Sequence, residues 1–147
     1  MIALLQRVNS SSVSVDNQKI CSISKGALVF LGVEAEDDRT DCEYLAKKIA
    51  NIRMFGDSKG KMNLSAQDVS AQILLVSQFT LTADTKKGLR PSFSKAAEPK
   101  KAEELYEYAG ALLKDKGLDV KTGIFAAHMI VSLENNGPVT LILNSKK

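Results

Sequence analysis

One histidine, two cysteines and no tryptophan occur in 147 residues, and each scarcity removes a class of chemistry. His128 has no cysteine or carboxylate near it at ligand spacing, so no metal centre is expected. Cys21 and Cys42 fall in different elements without C-x-x-C spacing, and they read as reduced thiols used for packing. No apolar run approaches the roughly 20 residues that span a bilayer. The opening Met1-Ile2-Ala3-Leu4-Leu5-Gln6-Arg7-Val8 shows no basic segment, long apolar stretch and cleavage site in series. A membrane partner is therefore not expected, and a cytoplasmic location is. There is no G-x-G-x-x-G, phosphate loop or H-E-x-x-H, so no cofactor is expected either. Net charge is only +3, too little for a general nucleic-acid coat.

The remaining composition, 44% hydrophobic and 25% charged, is that of a globular protein, and the length suits a single domain over residues 1–147. Alternation over Ile2 to Val8 and Ser12 to Val15 reads as strand. Asp16-Asn17-Gln18 then turns into a returning strand, Lys19 to Ile23. Ala27 to Val33 is nearly all apolar, as expected of a central strand covered on both faces. Thr40 and Glu43 have capping-box spacing, and Cys42, Leu45, Ile49 and Ile52 recur with helical period, which predicts a helix over 40–52. Gly56 to Gly60 is a turn and Ile73 to Gln78 a strand. Thr82 to Pro99 has no period and reads as a long loop. Pro99 suits the first turn of a second helix, with Leu105, Tyr108, Ala109 and Leu112 on its apolar face and Gly117 at its end. Met129 to Leu133 and Val139 to Leu143 read as two closing strands joined by a hairpin. The expected fold is α+β: mainly antiparallel strands in a barrel-like β/β/α layered unit with two main helices.

Ser92-Phe93-Ser94-Lys95 matches S-x-x-K and Lys121-Thr122-Gly123 matches K-T-G, a pair found in penicillin-recognising acyl enzymes. The context rejects it, since S-D-N is missing, Ser92 lies in the loop, and the chain is too short for that fold. Two other segments are more informative. Ser77-Gln78-Phe79-Thr80-Leu81 sets two hydroxyls, an amide and backbone N–H groups just past a buried strand, a place to hold an ester carbonyl and its oxyanion. A polar strand end with Phe79 packed in the core explains the same residues. In Asn135-Asn136-Gly137-Pro138-Val139-Thr140, Asn136-Gly137 favours a turn. Pro138 removes a donor, which leaves carbonyls to meet a ligand's ammonium group. Between Asp84 and Lys101 lie Lys86, Lys87, Arg90, Lys95, Lys100 and Lys101 against only Asp84 and Glu98, a basic stripe fit for a few phosphates.

The two segments resemble the signature motifs of the D-aminoacyl-tRNA deacylases. The likeness extends to Ile2-Ala3-Leu4-Leu5-Gln6-Arg7-Val8, to Lys87-Gly88-Leu89-Arg90-Pro91-Ser92-Phe93 and to Thr122-Gly123-Ile124-Phe125-Ala126-Ala127. One departure is Asn136, where the family more often has Asp. The resemblance implies a homodimer that hydrolyses the ester between a D-amino acid, or glycine, and the terminal adenosine of tRNA, proofreading chirality for translation. Its partner is the aminoacylated 3′ end of tRNA, with no DNA. It also implies that Gly137-Pro138 is cis and enters the partner subunit's pocket, where backbone carbonyls hold the α-ammonium and an L side chain strikes the wall. By position, Ser77, Gln78, Phe79 and Thr80 surround the reacting carbonyl. Phe125, Ala126 and Met129 receive the adenine, and Lys86, Lys87, Arg90 and Lys95 meet acceptor-stem phosphates. The ribose 2′-hydroxyl assists hydrolysis in place of a protein base.

Two alternatives use the same residues. A dimeric RNA-end module binds without turnover. A Ser77 or Thr80 acyl-enzyme hydrolase acts on small esters and loses activity when that side chain is removed.

Overall fold

The computed structural model describes residues 1–146. Its organising element is a 14-residue first strand, β1 (Ile2–Val15), which bends part-way and serves two layers. Its first half pairs antiparallel with β3 (Gly26–Gly32), Ile2 opposite Gly32 through Val8 opposite Gly26. Its second half pairs with β2 (Gln18–Ile23), as the hairpin signal at Asp16-Asn17 requires. Both turn residues have positive φ, 49° and 61°, the left-handed pair that suits a tight hairpin.

β3 is buried at every position but Phe30, which is the doubly covered central strand that its apolar run predicts. It pairs parallel with β6 (Gln72–Ser77), which pairs parallel with β7 (Asp119–Thr122). These parallel pairs need crossovers, and two helices supply them: α1 (Arg39–Asn51) and α2 (Pro99–Asp115). A small ribbon, β4 (Phe55–Gly56) with β5 (Met62–Leu64), brackets the Gly56–Gly60 turn. The sheet order is β2-β1-β3-β6-β7, with the last strand, β8 (Ile130–Asn144), on the other side of β1.

Two cores result. One lies between the sheet and the helices, with Leu5, Val29, Leu31, Leu45, Ile73, Leu75 and Leu113 at its centre. A smaller one fills the curl formed by the bent β1, with Val8, Val13, Ile23, Leu28, Leu74 and Val76. The curl is drawn together at a seam where the Cys21 thiol on β2 donates to the Thr122 carbonyl on β7 at 3.3 Å. This is the α+β, barrel-like layered arrangement expected.

Three expectations change. The first helix starts earlier than its hydrophobic period suggests: Asp38 is its N-cap, accepting from Thr40 N–H at 2.8 Å, and Asp41 returns a bond to Asp38 N–H at 2.9 Å. Carboxylates at these positions also meet the positive end of the helix dipole, an advantage that Thr40 lacks. The expected terminal hairpin is instead one strand. Both halves of β8 pair with β1, Ile2↔Asn144 to Gln6↔Thr140 and Val8↔Asn135 to Ser14↔Ile130. Between Gln6 and Val8 the first strand uses one residue, Arg7, while β8 uses four, Asn136 to Val139, so the Gly-Pro segment is a wide bulge. Finally, β7 is an addition, because Asp119-Val120-Lys121-Thr122 is too short and polar to show a period.

The Met1 ammonium group lies at 2.6 Å from Asp37 Oδ1 and 2.9 Å from Ser145 Oγ. Met1 and Asp37 are fully buried, so this ion pair ties β1 to the α1 entry and to the end of β8.

Candidate active site

At Ser77 the parallel pairing of β6 with β3 ends, opposite Leu31, and the chain turns into a short 3-10 segment, Phe79–Thr82. Its first turn bond runs from Leu81 N–H to the Gln78 carbonyl at 3.3 Å. The amides of Phe79 and Thr80 precede that bond and are not used by the turn itself, as at any helix start. Gln78 N–H is tied to the Leu31 carbonyl at 2.9 Å, and the Gln78 carboxamide donates to Thr80 Oγ1. Thr82, buried, donates to the Phe79 carbonyl at 2.8 Å. The close approach of this turn to β3 requires Gly32, where a Cβ would stand 3.0 Å from both the Gln78 carbonyl oxygen and Leu81 Cβ.

A cleft of about 450 Å³ opens here. One side is Ser77, Gln78 and Phe79; the other is the Phe125–Met129 segment; Val33, Ala96, Ala97, Pro99 and Ala102 form the back wall. The wall closes where Ala97 N–H, just ahead of α2, donates to the Val33 carbonyl at 3.0 Å. Among the described residues, His128 is the one titratable side chain in the lining. None of the described carboxylates or cysteines lines the cleft; Ser77 and His128 both do, but no hydrogen bond joins them among the described residues, so they do not stand as a nucleophile paired with its base.

The Phe125–Met129 segment is held from below. Phe125 packs on Tyr106 with ring centroids 5.9 Å apart, and the Tyr106 hydroxyl donates to the Leu75 carbonyl at 2.8 Å in the core. Burial pushes that phenol well above its usual range, so it stays a neutral support. Ala126 adopts φ 59°, an uncommon conformation for a residue with a Cβ, and the turn closes through Ala127 N–H to the Ile124 carbonyl at 3.3 Å. Met129 reaches over Gly123, where a Cβ would lie 2.6 Å from its sulfur.

Phe79 is 54% exposed, not packed in the core as the plain strand-end reading holds. It meets Phe93 edge-on, centroids 4.9 Å apart. That contact seats the basic loop beside the cleft. Asp84 and Ser92 exchange both backbone bonds at 2.8 and 2.9 Å, making the loop a finger that carries the exposed Lys86, Lys87 and Arg90 at its end. Lys95 follows, its carbonyl taken by Ala35 N–H at 2.9 Å.

Ser77, Gln78, Phe79, Phe125, Ala126 and Met129 thus share one cleft, and Thr80 adjoins it. Gly137 and Pro138 do not. Their peptide bond is cis, both residues are exposed, and the bulge lies beside Arg7. Arg7 pairs with Ala27 on β3, whereas the Ser77 end of the sheet is level with Leu31. Four residues of strand separate the two levels, about 13 Å at 3.3 Å per residue. β8 and β6 also flank opposite sides of the β1–β3 pair, so the bulge lies apart from the chain's own cleft both along the strands and across them.

The back wall of Val33, Ala96, Ala97, Pro99 and Ala102 carries no signal of its own in the sequence. Its only trace is the run Ala96-Ala97-Glu98-Pro99 ahead of a helix, which looks like ordinary helix entry.

A family model described as D-Tyr-tRNA(Tyr) deacylase matches residues 4–144. The chain is 53% identical over 146 residues to the D-aminoacyl-tRNA deacylase of Thermodesulfovibrio yellowstonii, covering 99% of this chain and all of that protein. It is 52% identical over 147 residues to the enzyme of the same name from Clostridioides difficile, covering 100% and 99%. Among solved structures, one titled c-Myc DNA Unwinding Element Binding Protein superposes with a TM-score of 0.94 at 38% identity over the full length of both chains. A second, described as a probable eukaryotic D-amino acid tRNA deacylase, has a TM-score of 0.84 at 15% identity over 97% of each, and shares the fold.

Proposed function

The chain belongs to the D-aminoacyl-tRNA deacylases, and from that membership we propose that it works as a cytoplasmic homodimer that removes D-amino acids, and glycine, from mischarged tRNA. The 3′-terminal adenosine enters the cleft with its base on Phe125, beside Ala126 and Met129. The ester carbonyl then lies over Ser77 to Thr80. Water adds to the carbonyl carbon, the developing oxyanion is met by the Phe79 and Thr80 amides, and the bond to the ribose oxygen breaks. The tRNA leaves with a restored hydroxyl and the amino acid as its carboxylate. The ribose 2′-hydroxyl assists: the described residues of the cleft offer no carboxylate or thiol as base, and His128 stands exposed at its edge with no hydrogen bond to Ser77 among the described residues.

Stereochemical selection falls to the Gly137-Pro138 bulge of the second subunit. Its carbonyls hold the α-ammonium group so that a hydrogen or a D side chain points outward, whereas an L side chain would strike the main chain. The observation that carries this reading is the placement of the bulge at the far level of the sheet from its own cleft: for both motifs to serve one substrate, the bulge must come from another copy. An apolar row on β1, β3 and β8, with Leu4 opposite both Phe30 and Ile142 and Ile142 70% exposed, offers a face on which that copy can pack. Lys86, Lys87, Arg90 and Lys95 meet acceptor-stem phosphates without reading bases, and DNA is not the proposed partner.

The test is release of labelled tyrosine from D-Tyr-tRNA and from L-Tyr-tRNA by the purified protein. Rapid release from the D form alone is expected. Release from neither would leave an RNA-end binding module, and equal release from both would end the chiral reading.

A further inference from the structure

The bulge interrupts the backbone ladder. Four residues of β8 face a single residue of β1, so Asn136 to Val139 have no ladder partners in the register, and buried or half-buried backbone groups need replacements. The Asn136 carbonyl takes Arg7 Nε–H at 2.8 Å, and both groups of Val139 are met by one side chain. Asn135 Oδ1 accepts from Val139 N–H at 2.7 Å, while its Nδ2 donates to the Val139 carbonyl at 3.3 Å and to Thr140 Oγ1 at 3.1 Å. The carboxamide therefore binds both main-chain groups of Val139 and closes the bulge at its neck. Gln6 Nε2 donates to the same Thr140 hydroxyl at 3.3 Å, which continues the clamp into β1.

We propose that Asn135 is a positioning residue that fixes the crest of the bulge, and through it sets how strongly L-esters are rejected. This rests on the reading of Gly137-Pro138 as the stereochemical wall. Asn135 is half-buried at the neck, and its carboxamide is engaged with Val139 and Thr140, so it acts through the main chain that it holds. Three bonds from one planar group demand a donor and an acceptor together, which among residues of this size only asparagine offers. An aspartate has the same shape, keeps the Oδ1 contact and can accept from the Thr140 hydroxyl, but it has no hydrogen for the Val139 carbonyl and sets a charged oxygen against it. Replacing that tie by repulsion leaves the neck free to shift, and a shift of about 1 Å at a positioning contact is enough to cost roughly 100-fold. Here the crest loosens and is not driven aside as a side chain on Gly137 would drive it, so its carbonyls still reach the α-ammonium group and the cost falls on discrimination more than on turnover.

The experiment compares D-Tyr-tRNA with L-Tyr-tRNA hydrolysis by the wild type, Asn135→Asp and Thr140→Val, with thermal melting to verify folding. The D-to-L rate ratio is expected to fall about tenfold or more in Asn135→Asp and less in Thr140→Val, which removes one tie and keeps the side-chain shape. A purely structural role would lower both rates together. A folded Asn135→Asp with the wild-type ratio overturns the proposal while leaving the stereochemical wall standing. If that variant does not fold, Thr140→Val decides alone, and an unchanged ratio there overturns it. A wild type that fails to discriminate removes the reading beneath it and the proposal as well.

Discussion

Arg7 stands directly against Gly137: a Cβ built on the glycine would lie 2.9 Å from Arg7 Nη2 and 2.7 Å from Val139 Cγ2. The guanidinium is not free to retreat, because its Nε donates to the Asn136 carbonyl at 2.8 Å and its Nη1 to the Met54 carbonyl at 2.7 Å. Gly137 also has φ 141°, a region that side chains rarely adopt.

Gly137→Ala therefore displaces the crest whether the backbone or Arg7 yields. Deacylation of D-Tyr-tRNA is expected to fall by about 100-fold, the scale of an ångström-level misplacement. Single-turnover rates at saturating enzyme would measure it.

Ser77→Ala and Thr80→Val behave differently. Each removes a hydroxyl from a site whose proposed oxyanion contacts are backbone amides, so the loss is expected to stay within about tenfold, one ordinary hydrogen bond. Complete inactivation by either would point to an acyl-enzyme instead. Mass spectrometry of the enzyme during turnover would then reveal the acyl adduct.

Much of this is legible in the sequence, and the gaps have physical causes. The strand Ala27 to Val33 is continuous and apolar because both faces are covered, and α2 shows its period and its leading proline. The Asn136-Gly137-Pro138 stretch reads as a hairpin because local turn chemistry is identical in a hairpin and a wide bulge. What separates them is whether Val139 to Leu143 pairs with the preceding half of β8 or continues along β1, a long-range choice. The cleft's back wall is invisible in the sequence because alanines near a helix start carry no chemical signal. His128, a lone histidine with no partner at ligand spacing, is exposed at the cleft edge.

The basic finger is expected to act through charge alone. Replacing Lys86 or Arg90 by Ala should weaken tRNA binding to a similar extent for different tRNA sequences and lower the salt slope of log K by about 1 for each phosphate left without its cation. Filter binding across a salt series reads both quantities. A change confined to one tRNA sequence would contradict non-specific phosphate binding.

Stability should fall in acid through Asp41. Burial favours the protonated form of this carboxyl, but hydrogen bonds from Ser145 and the Asp38 amide, together with the charge of Lys146, bring it below its ordinary value of 3.8. The unfolded chain thus binds the proton more readily. The stabilising contribution is complete above the unfolded value, near pH 4, and is lost as pH falls through the folded one. Asp41→Asn is expected to melt lower at neutral pH and to lose less on acidification, so that the two melting curves converge in acid. Curves that stay parallel across that window would exclude Asp41 as the source.

The most direct measurement mixes two impaired proteins. One is Ala97→Trp, which fills the cleft and leaves the bulge intact; the other is Gly137→Ala, which damages the bulge and leaves the cleft intact. After unfolding and refolding together, mixed dimers place an intact bulge beside an intact cleft only when the bulge is donated across the interface. The mixture is expected to regain hydrolysis of D-Tyr-tRNA and still spare L-Tyr-tRNA. A mixture no more active than the sum of its components would contradict donation of the bulge across the interface.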